Sequence, residues 1–206
     1  DYFGEECIKY FEGMWAFVIY DLKKNILFIS RDRFGEKPLL YFYNGNEFAF
    51  ASESKALLSI LEKSGSVNEI YIKNFLNNGF RWIFKGQHTP FKNIHRLNSG
   101  ENLIIDFNLK IKKYKYWSPK FSESKLSINE AIEGTRYHLN ESLKLRMRSD
   151  VPIAFCLSGG IDSGSLVSIT EKNINKNIHS FSIVDDDARY NEEEEIDYLT
   201  NYLKIH

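Results

Sequence analysis

Ser158-Gly159-Gly160-Ile161-Asp162-Ser163 follows the apolar run Val151 to Leu157 and leads into Gly164 to Lys172, a stretch that can carry a helix. Strand, glycine loop and helix in that order are how a parallel sheet builds a ligand-binding turn at the carboxyl end of a strand. The paired glycines predict a backbone that turns through positive φ and offers bare N–H groups to an anion, with the positive end of the helix behind them. The hydroxyls of Ser158 and Ser163 flank these groups, so the loop reads as a nest of donors suited to phosphate oxygens. No lysine stands where the pattern G-x-x-x-x-G-K-S/T needs one, which separates the loop from the standard γ-phosphate cradle. A glycine turn that binds nothing is the plainer reading. The coincidence of every specified position with a strand, loop and helix context weighs against it.

Downstream, Ile178–Val184 reads as a second strand, and a last helix begins near Glu192 with Asn191 as its cap. The strand-helix-strand-helix order predicts a parallel, doubly wound sheet, with ligands beyond the strand ends where the Ser158 loop and Ile183 would lie. Upstream, Ser127-Ile128-Asn129-Glu130 is a capping box. Ile128, Ile132, Leu139, Leu143 and Met147 then recur at helical spacing, predicting a long amphipathic helix to about Arg148. Lys144, Arg146 and Arg148 in its last turns are accounted for by the helix dipole, without a ligand. Asp185-Asp186-Asp187 invites a metal reading, but an exposed loop explains it better, and Asp162 alone is a weak metal signal.

The first half has a different texture. Met14–Asp21, Ile26–Arg31, Leu39–Tyr43 and Glu47–Ala51 are short apolar or aromatic runs. Lys23-Lys24-Asn25, the Gly35 to Pro38 corner and Asn44-Gly45-Asn46 separate them, predicting an antiparallel meander. Helices are expected over Glu53–Lys63 and Asn68–Asn77, the second stopping at Asn78-Gly79. Strands resume at Ile94–Leu97, Glu101–Asp106 and Lys110–Tyr116. The lysines at 110, 112, 113 and 115 interleave with Ile111, Tyr114 and Tyr116, which suits a solvated edge strand better than a nucleic-acid stripe. The polar stretch between Trp117 and Lys125 is the linker candidate.

Composition narrows the function classes. With 27 Lys plus Arg against 28 Asp plus Glu, the chain has no net field favouring nucleic acid or an anionic membrane. No run approaches the roughly 18 apolar residues of a membrane span. The first residues lack the basic and apolar regions of a signal peptide, so a cytoplasmic location is expected. Cys7 and Cys156 have neither zinc nor redox spacing. Cys156 is expected in the core, and Cys7 on an amphipathic helix.

The loop resembles the S-G-G-x-D-S pyrophosphate loop of ATP pyrophosphatases, enzymes that split ATP between the α and β phosphates and leave an acyl-adenylate. Further segments extend the likeness: Phe11-Glu12-Gly13-Met14-Trp15-Ala16-Phe17, Ser30-Arg31-Asp32-Arg33-Phe34-Gly35-Glu36-Lys37-Pro38-Leu39, Phe50-Ala51-Ser52-Glu53-Ser54-Lys55-Ala56-Leu57, the Arg96 to Gly100 turn, Tyr116-Trp117-Ser118-Pro119 and Arg148 to Pro152. Taken in order, they resemble glutamine-hydrolysing asparagine synthetase across nearly the whole chain. The resemblance implies the C-terminal part of an N-terminal-nucleophile amidotransferase sandwich over residues 1–117, a linker at 118–126, and over 127–206 the start of a PP-loop synthetase domain. It implies that glutamine supplies ammonia, that ATP and Mg²⁺ activate aspartate as β-aspartyl-AMP, and that ammonia displaces AMP to give asparagine. A homodimer is compatible with it, and neither nucleic acid nor membrane is an expected partner.

Carried over by position, Ser158, Gly159, Gly160, Asp162 and Ser163 match the pyrophosphate loop. Leu157 and Ile183 match positions that touch ATP largely through backbone. The glutaminase nucleophile and glutamine-holding residues of the family precede the point matching Asp1, and Cys7 does not match the nucleophile. The family's second Ser-Gly segment and later catalytic Glu and Lys would follow His206. Gly164 and Asn191-Glu192 stand where Ser and Asp-Glu are usual. The chain is therefore expected to be an internal fragment, inactive alone and carrying no glutaminase residue. Relatives that modify polysaccharide or form β-lactams share the loop, so the acceptor carboxylate stays open. A truncated, non-catalytic binding module is the reading from another class.

Overall fold

The computed structural model describes residues 2–61, 65–82, 86–174 and 178–205. The chain forms two compact units, Asp1–Phe121 and Ser122–His206. Both mix helices with sheets.

In the first unit Ala16–Asp21 (β1) pairs with Ile26–Arg31 (β2), and Leu40–Tyr43 (β3) pairs with Phe48–Ala51 (β4), all antiparallel. Short polar side chains make the turns. Asp21 Oδ1 accepts from the N–H groups of Lys23 and Lys24, and Asn44 Oδ1 from those of Asn46 and Glu47. The single meander expected from the sequence does not form. With Ile94–Arg96 (β5), Glu101–Asp106 (β6) and Ile111–Lys115 (β7), the strands sort into one sheet ordered β1-β2-β6-β7 and another ordered β4-β3-β5.

The corner between β2 and β3 is the physical reason. Asp32, only 1% exposed, accepts from the N–H groups of Phe34, Glu36 and Lys37 at 3.0 Å each. Arg31 donates through Nε to Lys37 O at 2.7 Å and through Nη1 to Leu97 O at 2.6 Å. Folded this tightly, the chain carries β3 away from β2, and β6 takes the vacant place beside β2.

Alternation along β3 then assigns its two faces. Tyr41 joins Ile29, Leu97, Leu103 and Ile105 in one buried cluster, while Phe42 joins Leu57 and Ile94 in another. Leu57 belongs to Ser54–Ile60 (α1), the first helix expected from the sequence. Its expected end at Lys63 falls at residues 62–64, outside the described residues. The second helix is Glu69–Asn78 (α2), capped by Asn68, which accepts from the Tyr71 N–H. β7 is an edge strand, as its lysines suggested, and Lys113 Nζ donates to Gln87 Oε1 at 3.0 Å. Cys7 is half-buried on a 3-10 helix, Gly4–Tyr10, rather than on an amphipathic α-helix.

Gly100 closes the turn between β5 and β6. Its φ is +65°, and a Cβ there would lie 2.5 Å from the Trp117 carbonyl oxygen. Gly100 also accepts at its own carbonyl from the N–H groups of Tyr116 and Trp117. Gly100→Ala is therefore expected to cost about 3 kcal/mol through backbone strain and a displaced strand end. Urea unfolding followed by tryptophan fluorescence would measure it, since Trp15, Trp82 and Trp117 all belong to the first unit.

In the second unit the capping box forms as read: Ser127 Oγ accepts from the Glu130 N–H at 3.3 Å, and Glu130 Oε2 accepts from the Ser127 N–H at 2.8 Å. It starts Ile128–Arg146 (α3). Ala154–Cys156 (β8) and His179–Phe181 (β9) pair in parallel, and Ile161–Asn173 (α4) connects them. Glu193–Leu203 (α5) follows. Leu157, Val167, Ile178, Ile196 and Leu203 form the core of this unit.

Both strands are shorter than the apolar runs suggested, and the flanking Leu157 and Ile178 are buried. Cys156 is exposed, contrary to expectation. Phe155 faces the core, so its neighbour must point to the opposite face of the strand. The apolar stripe of α3 is also largely uncovered: Leu143 is buried, but Ile128 is 79% exposed. That stripe lines a groove of about 1110 Å³ with α4 and α5.

Candidate functional site

Residues 158–163 sit where β8 ends and α4 begins, and parallel pairing puts the end of β9 at the same side. Leu157 anchors the loop from below. Its side chain is in the core, and its N–H donates to Phe181 O at 2.9 Å. Ile183 lies just past β9 and is 98% exposed. The expected strand through Val184 is thus replaced by open chain from residue 182.

α4 starts earlier than the sequence suggested. Gly160 is its N-cap, so Asp162 and Ser163 occupy the first turn. An acidic side chain there is favoured by the helix dipole, and Asp162 is exposed to solvent. Neither Gly159 nor Gly160 adopts positive φ, which corrects the expected reason for the glycines. Close approach explains Gly159 instead. A Cβ on it would meet the Cβ of Glu192 at 2.8 Å and that of Glu195 at 3.0 Å. One helical turn further on, a Cβ on Gly164 would meet Leu199 Cδ2 at 3.2 Å, so the same absence of side chains seats α5 along α4.

The loop's donors are turned onto partners of the same unit. Ser158 N–H donates to Ser163 Oγ at 3.1 Å, Gly160 N–H to Ser158 Oγ at 3.3 Å, and the two hydroxyl oxygens lie 2.9 Å apart. The single hydroxyl proton of Ser163 has Ser158 O at 3.0 Å and Gly160 O at 3.3 Å as alternative acceptors. Gly159 N–H donates to Glu192 Oε2 at 3.2 Å. The bonds that end on hydroxyl or carbonyl oxygens are mostly long, so exchanging them for bonds to an anionic oxygen costs little and gains charge assistance, whereas the Gly159 N–H already faces a carboxylate.

The remaining charged candidates resolve into local structure. Asp187 accepts from Arg189 Nη2 at 2.6 Å, and these side-chain bonds hold its carboxyl below the usual range. Lys144 pairs with Glu141 at 2.7 Å on an exposed helix face. Among the described residues no group of three or more His, Cys, Asp or Glu side chains could hold a metal ion. No helix among them is long and apolar enough to cross a membrane.

Family profiles agree with this geometry. One described as a glutamine amidotransferase domain matches residues 1–117, and one described as asparagine synthase matches residues 134–206. A protein of Methanocaldococcus jannaschii named "Putative asparagine synthetase (glutamine-hydrolyzing) 2" is 37% identical over 98% of this chain and 39% of its own length. The chain belongs to the glutamine-hydrolysing asparagine synthetase family. Asparagine synthetase 3 of Bacillus subtilis is 28% identical over 87% of the chain and 29% of its own length. Amidase chyE of Penicillium rubens is 32% identical over 82% of the chain and 25% of its own length. The chain thus spans between 25% and 39% of the length of these relatives.

Sequence reasoning missed the part of Glu192 and Glu195. The signal was present in Gly159, where a side chain is excluded by a helix whose N-cap, Glu192, lies 33 residues later. Asn191, expected as the cap of α5, does bond its start, accepting from the Glu193 N–H at 2.8 Å.

Proposed function

We propose that the chain carries the polyphosphate-binding part of a glutamine-dependent asparagine synthetase, which joins ammonia from glutamine to an ATP-activated aspartate. Residues 1–117 would belong to the amidotransferase domain, 118–126 to a linker and 127–206 to the start of the PP-loop synthetase domain. The observation that carries the reading is the Ser158–Ser163 loop, set between a parallel strand and a helix N-terminus in a chain of this family.

The N–H groups of Gly159 and Gly160 and the hydroxyls of Ser158 and Ser163 would hold the β and γ phosphates of ATP, the substrate. Leu157 and Ile183 would border the nucleotide through their backbone. The backbone carrying these N–H groups is set between β8 and α4 before substrate arrives, so they would stabilise charge gathering on the departing pyrophosphate. The donor set also suits Mg²⁺, which commonly takes one or two carboxylates and relies on substrate phosphates for the rest. Asp162 would supply such a carboxylate or orient the loop, and the ion would neutralise phosphate charge.

Ser163→Ala is expected to weaken pyrophosphate binding by the full-length protein about tenfold, because Ser163 both bonds the phosphate and organises Ser158. Calorimetric titration checks this, and unchanged affinity counts against the assignment. The similarity to an amidase favours one second reading, in which the loop activates a carboxylate other than aspartate. Pyrophosphate exchange into ATP, measured with aspartate and with other carboxylates, separates the two.

A further inference from the structure

The geometry points to Glu192 as a resident anion of the loop, one that an incoming polyphosphate must displace and that makes the loop favour metal-complexed over metal-free polyphosphate. This inference rests on reading Ser158–Ser163 as a polyphosphate site and adds a specificity-determining residue to it.

Two observations meet at Gly159. Its N–H donates to Glu192 Oε2 at 3.2 Å, so a carboxylate oxygen occupies a donor that a phosphate oxygen would need. Its missing side chain makes room for Glu192, whose Cβ would lie 2.8 Å from any Cβ at that position. The approach is therefore built into the packing of α5 against the loop. The other internal acceptors, Ser158 Oγ and Ser163 Oγ, are neutral and reorient by rotation. Glu192 differs because it brings a full negative charge.

Metal-free pyrophosphate carries several negative charges and would be repelled by a carboxylate at this distance, at a cost of about tenfold in affinity at ordinary ionic strength. Coordination by Mg²⁺ removes part of that charge and hence most of the penalty. A role for Glu192 as a metal ligand fits less well, since its oxygen faces an electropositive N–H. Nor do the described residues offer a cluster of three His, Cys, Asp or Glu side chains for an ion.

The test is calorimetric titration of the full-length protein with pyrophosphate, once in chelator and once in saturating Mg²⁺, for the wild type, Glu192→Gln and Glu195→Gln. Glu192→Gln should bind metal-free pyrophosphate about tenfold more tightly than the wild type, and the difference should shrink to about twofold or less in Mg²⁺. Glu195→Gln, which alters a side chain that meets the Gly159 position through its Cβ, should stay close to the wild type. Equal metal-free affinities for wild type and Glu192→Gln overturn the inference. Weaker binding by Glu192→Gln in Mg²⁺ overturns it too, and makes Glu192 a metal ligand. Failure of every protein to bind pyrophosphate under both conditions sinks the loop reading itself. If Glu192→Gln does not fold, the Gly159 amide resonance of the wild type decides: it must shift as pyrophosphate saturates, and an unmoved resonance overturns the displacement.

Discussion

Valine at position 159 is expected to lower aspartate-dependent pyrophosphate exchange by the full-length protein at least about a hundredfold, while glutamine hydrolysis stays within about twofold of the wild type. Even a methyl group at this position would stand 2.8 Å from the Glu192 Cβ and 3.0 Å from the Glu195 Cβ, and valine adds bulk beyond it. Either α5 must move away or the loop must bend, and both displace the N–H groups of Gly159 and Gly160. Gly160→Val is expected to act more locally, because a Cβ there would first meet the Ser158 hydroxyl at 3.3 Å. Asp162→Ala should also remove exchange, by loss of the carboxylate in the first turn of α4. Exchange that survives all three substitutions would remove the loop from the active site.

Asp32→Ala should destabilise the first unit by about 3 kcal/mol at neutral pH, because three backbone N–H groups lose their buried acceptor at once and the tight corner loses what holds it. The pH dependence follows from the carboxyl's own balance. Burial pushes its pKa up, but the N–H groups of Lys37, Glu36, Phe34 and Gly35 together outweigh burial and hold it below the usual carboxylate value. A depressed folded pKa adds stability that is fully present above the unfolded value, about 3.9, and is lost as pH falls through the folded one. The gap between wild type and variant should thus be constant from neutrality to about pH 5 and narrow in stronger acid. Urea midpoints followed by tryptophan fluorescence would show it. A gap that widens on acidification would contradict the role given to the Asp32 carboxylate.

Local elements were legible in the sequence wherever a short-range signal specifies them. The Ser127–Glu130 capping box, the Asn78-Gly79 helix stop and the Asn44-Gly45-Asn46 turn all depend on bonds spanning a few residues, and each forms. Sheet membership was not legible, because alternation marks a strand without naming its partner. β2 looked like the neighbour of β3, yet the buried Arg31–Asp32 corner turns the chain aside. Cys156 was misplaced for a related reason: an apolar run gives the existence of a strand, whereas its short length and the inward Phe155 decide which side chains are covered. The Ser158–Ser163 motif announced a donor loop, but the carboxylate resting on it comes from a separate helix that no local pattern connects to it.

The pairing of β2 with β6 and of β3 with β5 also governs the order of assembly. Ile26 meets Asp106 and Leu40 meets Arg96, so each inner strand waits for a mate delivered long after it. The early hairpins can close quickly on their own, but their remaining edges stay open until residues near 106 leave the ribosome. Nascent chains halted before that point would expose β2 and β3 as sticky templates, making translation pauses in this interval the moment when chaperone protection matters most.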